Sequence, residues 1–185
     1  MLPALAGAAV LFLLFIYLGP QGVLTSLGKE EKVSLPVGVG GPVRLKIPKL
    51  NVDAAVVYVG LTPQGAMGAP KNQTDVAWYE GGARPGENGS AVIAGHYGWI
   101  QGKPSVFNDI STLRKGDNIY VEDDTGATTA FAVREIRTYD PKADTTSVFS
   151  STDGTSHLNL ITCEGAWDEA RGTYSGRLVV FADKE

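Results

Sequence analysis

Apolar and polar positions alternate in short runs along most of this chain, and turn-forming residues separate the runs. Successive side chains of a strand point to opposite faces, so runs of this kind predict β-strands rather than helices. Strand candidates are Val43–Ile47, Ala54–Val59, Ser90–Gly95, Asn118–Glu122, Thr129–Thr138, Leu158–Thr162 and Leu178–Ala182, with Val76–Tyr79 as a weaker one. The words "PGENG", "RKGD", "DDTG" and "STDGT" supply turns between them. "PSVFNDISTL", with Pro104 near its start, is the best site for a short helix. About eight short strands, few helices and glycine-rich connections predict a closed or nearly closed antiparallel β-barrel.

The first residues follow a different pattern. From Leu2 to Gly28 there is no charged side chain, and the strongest apolar stretch runs from Leu5 to Leu18. Adding Gly19 to Leu27 gives a helix of about the ~20 residues needed to span a bilayer, tilted or partly interfacial. A basic n-region and a clear A-x-A cleavage site are both missing, which favours an uncleaved membrane anchor over residues 1–28 rather than a cleaved signal segment. Lys29 and Lys32 flank Glu30 and Glu31, so the positive-inside rule does not orient the anchor. Residues 29–42, "KEEKVSLPVGVGGP", read as a linker that lifts a compact domain, residues 43–185, off the membrane.

Composition adds limits. A chain of 185 residues holds one domain with room for little more than an anchor. The 23 glycines and 10 prolines favour short strands and loops over a helix bundle. The net charge of -4 gives no basic footprint for nucleic acid, so no nucleic-acid partner is expected.

The chain has one cysteine, Cys163, in "HLNLITCEGAW", so no internal disulfide can form. A lone cysteine is either a small buried hydrophobe or a nucleophile. Strand parity bears on the choice. Leu158, Leu160 and Thr162 share one face, and His157, Asn159, Ile161 and Cys163 the other. If the leucines point into the barrel, Cys163 points out. By the same parity Leu178, Val180 and Ala182 face in and Arg177 faces out, while His96 ends the strand "AVIAGH". A thiol, an imidazole and a guanidinium suffice for acyl transfer: attack on a carbonyl, proton transfer to the leaving amine, and oxyanion stabilisation. With two histidines in the chain, spacing alone leaves the pairing open. His157 is the rival base, but it lies six residues from Cys163 on one strand, ~20 Å away at about 3.3 Å per residue. A solvated or groove-rim role fits it better.

The words "IPKLNVDAAV", "DVAWYEGGARPGENGSAVIAGHYG", "VFNDISTLRKGDNIYVED", "LNLITCEG" and "YSGRLVVFA" occur in that order. Together they resemble the sortase family, the membrane-anchored cysteine transpeptidases of bacterial surfaces, from Val43 to Ala182. The combination "DVAWY…PGE…AVIAGH" looks more like classes D, E or F than A or B. The resemblance implies an eight-stranded sortase-like β-barrel with short helices behind an N-terminal transmembrane helix. It implies Cys163 as nucleophile, His96 as general acid and base, and Arg177 as the residue stabilising oxyanion or substrate. Arg171, in "GAWDEARGTY", is the rival arginine. Thr162, Trp167 and Tyr174 are candidates for lining a peptide groove. Glu122, Asp123 and Asp124 read as a solvated hairpin, and neither metal nor cofactor is expected. The implied partners are an LPxTG-like sorting motif of surface proteins and an amine acceptor from a cell-wall precursor or a pilin lysine. The implied location is the cell membrane, with the catalytic domain extracytoplasmic. A thiol peptidase of the same fold that only hydrolyses, and a non-catalytic anchored peptide-binding barrel, are the alternatives.

Overall fold

The computed structural model describes residues 38–185 with the exception of residue 171. The expected anchor, most of the linker and the rival Arg171 therefore lie outside the described residues. Among the described residues no helix is long and apolar enough to cross a membrane.

The alternating runs form strands β1 (Pro42–Ile47), β2 (Val52–Val59), β3 (Val76–Tyr79), β4 (Gly89–Gly95), β7 (Asn118–Asp123), β8 (Thr128–Tyr139), β9 (Ser156–Asp168) and β10 (Thr173–Lys184). These eight close into a barrel in the order β1-β2-β3-β4-β9-β10-β8-β7. A small hairpin of β5 (Trp99–Ile100) and β6 (Lys103–Pro104) stands apart. The barrel is not antiparallel throughout, because β2 with β3 and β4 with β9 pair in parallel. Alternation encodes which face a residue takes but not which way its neighbour runs, and parallel neighbours need long crossovers. Residues 60–75 provide the crossover between β2 and β3.

Parity runs as expected. Leu158, Leu160, Leu178, Val180 and Ala182 join Leu45, Ile93 and Phe131 in the barrel interior. Each large side chain so buried contributes about 1.5–3 kcal/mol. Val179, Phe181 and Ile161 have the opposite parity and form a second cluster on the outer face with Val148 and Phe149. The short helix expected in "PSVFNDISTL" is there as a 3-10 helix rather than an α-helix: the stretch forms turns and a 3-10 segment, Ile110–Thr112. Phe107, Ile110 and Leu113 are all buried in the barrel cluster. Their spacing of three suits a 3-10 turn, where i and i+3 eclipse. The one α-helix among the described residues, α1 (Thr146–Phe149), is a single turn, too short to leave a period in the sequence.

The two barrel ends differ. Pro42 pairs with Asp123, and Lys184 with Phe131, at one end; Arg177 pairs with Tyr139 towards the other. The acidic hairpin does more than face solvent. Asp123 and Asp124 accept the backbone N–H groups of Gly40 and Gly41 at 3.2 and 3.0 Å, tying the segment before β1 to the first end. His157 also belongs to that end, near the start of β9. It is buried rather than solvated, with its ring between the carboxylates of Asp183 (2.7 Å) and Asp153 (2.9 Å).

Candidate active site

The parallel register of β4 on β9 aligns Ala94 with Ile161. Continuing it past the end of β4 sets His96 level with Cys163. The antiparallel register of β9 on β10 pairs Cys163 with Arg177. By this register Cys163 and Arg177 stand at one level on adjacent strands about 4.8 Å apart, and His96, just past the end of β4, comes level with them on the other side of the thiol. All three are half-buried and line one groove of about 870 Å³. The groove is also lined by the loop from Leu61 to Pro70, by the segment from Asp140 to Ser150 that carries α1, and by outer-face residues Ile161 and Val179.

The end of β4 is held tightly. Thr162 Oγ1 donates to the Gly95 carbonyl at 2.8 Å. The Phe107 N–H donates to the His96 carbonyl at 3.0 Å. The His96 ring is fixed as well, with Nε2 2.8 Å from the Pro70 carbonyl oxygen. A carbonyl only accepts, so Nε2 carries hydrogen and Nδ1 is the nitrogen left to exchange protons. Nothing in the sequence points to Pro70, because a backbone carbonyl leaves no residue-type signal.

Arg177 lies along its own strand. Nη1 donates to the Tyr174 and Gly176 carbonyls at 3.2 and 2.9 Å, and Nη2 to Thr173 Oγ1 at 2.9 Å. No salt bridge among the described residues involves it, so its charge is not neutralised by a carboxylate. Two carboxylates, Asp140 and Asp144, line the groove. The hydroxyl and then the backbone N–H of Thr146 hold the Asp144 carboxyl below its ordinary range.

The groove candidates have distinct places. Thr162 lines the groove but is buried and spends its hydroxyl on Gly95. Trp167 and Tyr174 are not loop residues: they face each other as partners on β9 and β10. β9 continues past Cys163 through a bulge at Gly165, where φ is +84° and an added Cβ would meet Ser175 Oγ at 2.3 Å. A glycine bulge lets a strand continue where the sequence reads as a turn. Tyr174 stacks edge-on against Trp167 and Tyr97, at 5.2 and 5.3 Å between centroids, and neither it nor Trp167 lines the groove that holds His96, Cys163 and Arg177.

Comparison with known proteins identifies this architecture. The model of the Sortase domain family matches residues 45–185. The chain belongs to the sortase family. Solved structures similar to this sortase include sortase C-1 from Actinomyces oris (25% identity, TM-score 0.61, covering 78% of this chain and 74% of that one). Others are sortase C1 from Streptococcus agalactiae (24%, 0.62, 79% and 68%) and sortase C from Clostridium perfringens SM101 (22%, 0.57, 78% and 69%). No curated protein matches the chain significantly in sequence. These likenesses correct the class expected from the sequence: the similar structures are class C sortases, not members of classes D, E or F. The words "DVAWY", "PGE" and "AVIAGH" all lie on β3, β4 and the turn and chain end beside them, a small part of the fold on which to tell classes apart. Fold and family together support a sortase-like enzyme of the cysteine transpeptidase kind.

Proposed function

We propose that this sortase cleaves an LPxTG-like sorting motif through a thioacyl-enzyme and passes the acyl group to an amine. The observation that carries the proposal is the row His96, Cys163, Arg177 at one level of β4, β9 and β10, opening on a single groove. With the proton of the Cys163 thiol transferred to His96 Nδ1, the thiolate attacks the Thr–Gly carbonyl carbon. The oxyanion that forms takes hydrogen bonds from Arg177 and from backbone N–H groups near Cys163. His96 protonates the departing glycine amine, and the thioester remains on Cys163. Nδ1 makes that transfer, because Nε2 is committed to Pro70. His96 then takes a proton from the incoming amine as it attacks the thioester, which releases the thiolate and restores the thiolate and protonated His96 of the start. The acceptor is a cell-wall precursor or a pilin lysine, and water competes slowly. The apolar lining of Leu61, Met67, Phe149, Ile161 and Val179 suits an extended peptide with apolar side chains. The N-terminal segment anchors the enzyme, placing the catalytic domain on the outer side of the membrane.

The test uses the full chain in detergent with a Leu-Pro-x-Thr-Gly peptide library and an excess of primary amines, with products followed by mass spectrometry. A transpeptidated product that disappears in Cys163→Ala is the expected result. Hydrolysis alone would favour the peptidase reading. A folded enzyme that never acquires an acyl adduct on Cys163 would leave a peptide-binding barrel.

A further inference from the structure

Asn159 lies on the outer face of β9, on the same parity as Ile161 and Cys163. At 1% exposure it is the least exposed of the buried polar side chains among the described residues. Its neighbours across the sheet are Val92 on β4 and Phe181 on β10, both apolar and buried. The amide is only half satisfied. Nδ2 donates to the Val148 carbonyl at 2.6 Å, while Oδ1 is buried without a partner. An orphaned buried acceptor costs stability, and an apolar side chain of similar volume would avoid that cost. The barrel alone thus gives no reason for an amide at this position.

The reason lies in what the amide holds. Val148 belongs to α1, a single turn that cannot persist unaided. Its last carbonyls have no partner within the helix. Asp144 Oδ1 secures the first end by accepting from the Thr146 N–H and hydroxyl at 2.9 and 2.6 Å. Asn159 secures the other end, from the strand that carries the thiol. Thr145, Thr146, Val148 and Phe149 then line the groove, with the Phe149 ring edge-on to Tyr79 at 5.8 Å.

We propose that Asn159 is a positioning residue that pins α1 as a wall of the groove and so governs how tightly a peptide seats beside Cys163. It does so without touching the reacting atoms. The tether follows from geometry, and its effect on substrate rests on the sorting-peptide reading above.

The experiment compares the full chain in detergent with Asn159→Leu, which keeps similar volume, loses the donor and removes the orphaned acceptor. Three quantities are read. Amide hydrogen exchange at Val148 and Ser150, both hydrogen-bonded within the turn, becomes roughly tenfold faster, while protection in β9 and β10 is unchanged. With the best-cleaved Leu-Pro-x-Thr-Gly peptide, KM rises by a similar factor and kcat stays within about twofold. Alkylation of Cys163 by iodoacetamide keeps its rate. Asn159→Val carries the same expectations should the leucine variant not fold. Unchanged exchange in α1 overturns the tether. Unchanged KM with faster exchange overturns its role in seating peptide. A fall in kcat and in alkylation at constant KM would mean that the substitution distorts β9, and overturns it too. If the parent forms no thioacyl-enzyme, the proposed function falls by itself, and exchange in α1 still decides the tether.

Discussion

Gly95 ends β4 directly before His96, and an alanine there should cost more activity than stability. A Cβ at Gly95 would lie 2.4 Å from Phe107 Cδ2, with two more ring carbons at 2.7 and 2.9 Å. Carbon atoms prefer about 3.5–4.0 Å, so ring or strand end must give by roughly 1 Å. Phe107 is fully buried in the barrel cluster, so its ring cannot swing out into solvent. Its N–H also holds the His96 carbonyl, so movement of the ring is passed to the histidine. Overpacking of this kind costs about 1–3 kcal/mol. For a domain of this size each kcal/mol lowers Tm by about 2–4 °C, so Tm should fall by roughly 2–12 °C. Displacement of His96 by ~1 Å should lower kcat/KM by about a hundredfold. The decisive assay is a double-mutant cycle with Phe107→Leu, followed by urea unfolding under circular dichroism. Phe107→Leu alone destabilises by leaving a cavity, but with Gly95→Ala it frees the space the methyl needs. The double variant should be less destabilised than the sum of the two single variants by at least about 1 kcal/mol. Additivity within ~0.5 kcal/mol would refute the clash as the reason for glycine.

The site supports further expectations. His96→Ala should slow turnover by about 10²–10⁴-fold, and Arg177→Lys, which loses the planar fork, by about 10²-fold; single-turnover acylation followed by mass spectrometry separates both from loss of peptide binding. Thr162→Val keeps the shape and removes the hydroxyl bonded to Gly95; it should cost about 1 kcal/mol in urea unfolding and weaken activity by a larger factor than stability. Acid stability should depend on Asp153, whose carboxyl is held far below its ordinary range by the backbone N–H and then the hydroxyl of Thr155, and next by His157. A carboxyl lowered in the folded state stabilises above its unfolded pKa of about 3.9 and loses that contribution as pH falls towards the folded value. Thermal melts from pH 5 to pH 2 should therefore fall less steeply in Asp153→Asn than in the parent, and parallel slopes would contradict the role.

What could be read from the chain divides along a physical line. Parity is local: an outward Cys163 follows from inward Leu158 and Leu160, and the two apolar clusters realise that pattern. The convergence of the site is not local. That β4 lies beside β9 in parallel, bringing His96 level with Cys163, is a pairing between segments over sixty residues apart, and no alternation encodes it. Only resemblance to a family reached the three residues together. The groove is harder still. Residues 60–75 and 140–155 have little period to read, and α1 exists as one turn because the carboxylate of Asp144 beside it and the amide of Asn159 from β9 hold its two ends. On the proposed function, the chemistry sits on elements whose sequence constrains their shape, and recognition of the peptide on elements shaped by their contacts. Substitutions on the strand row should change rates for every peptide alike. Substitutions in the tethers of the loops should change which peptides are taken, and a library profile across both groups of variants would separate the two.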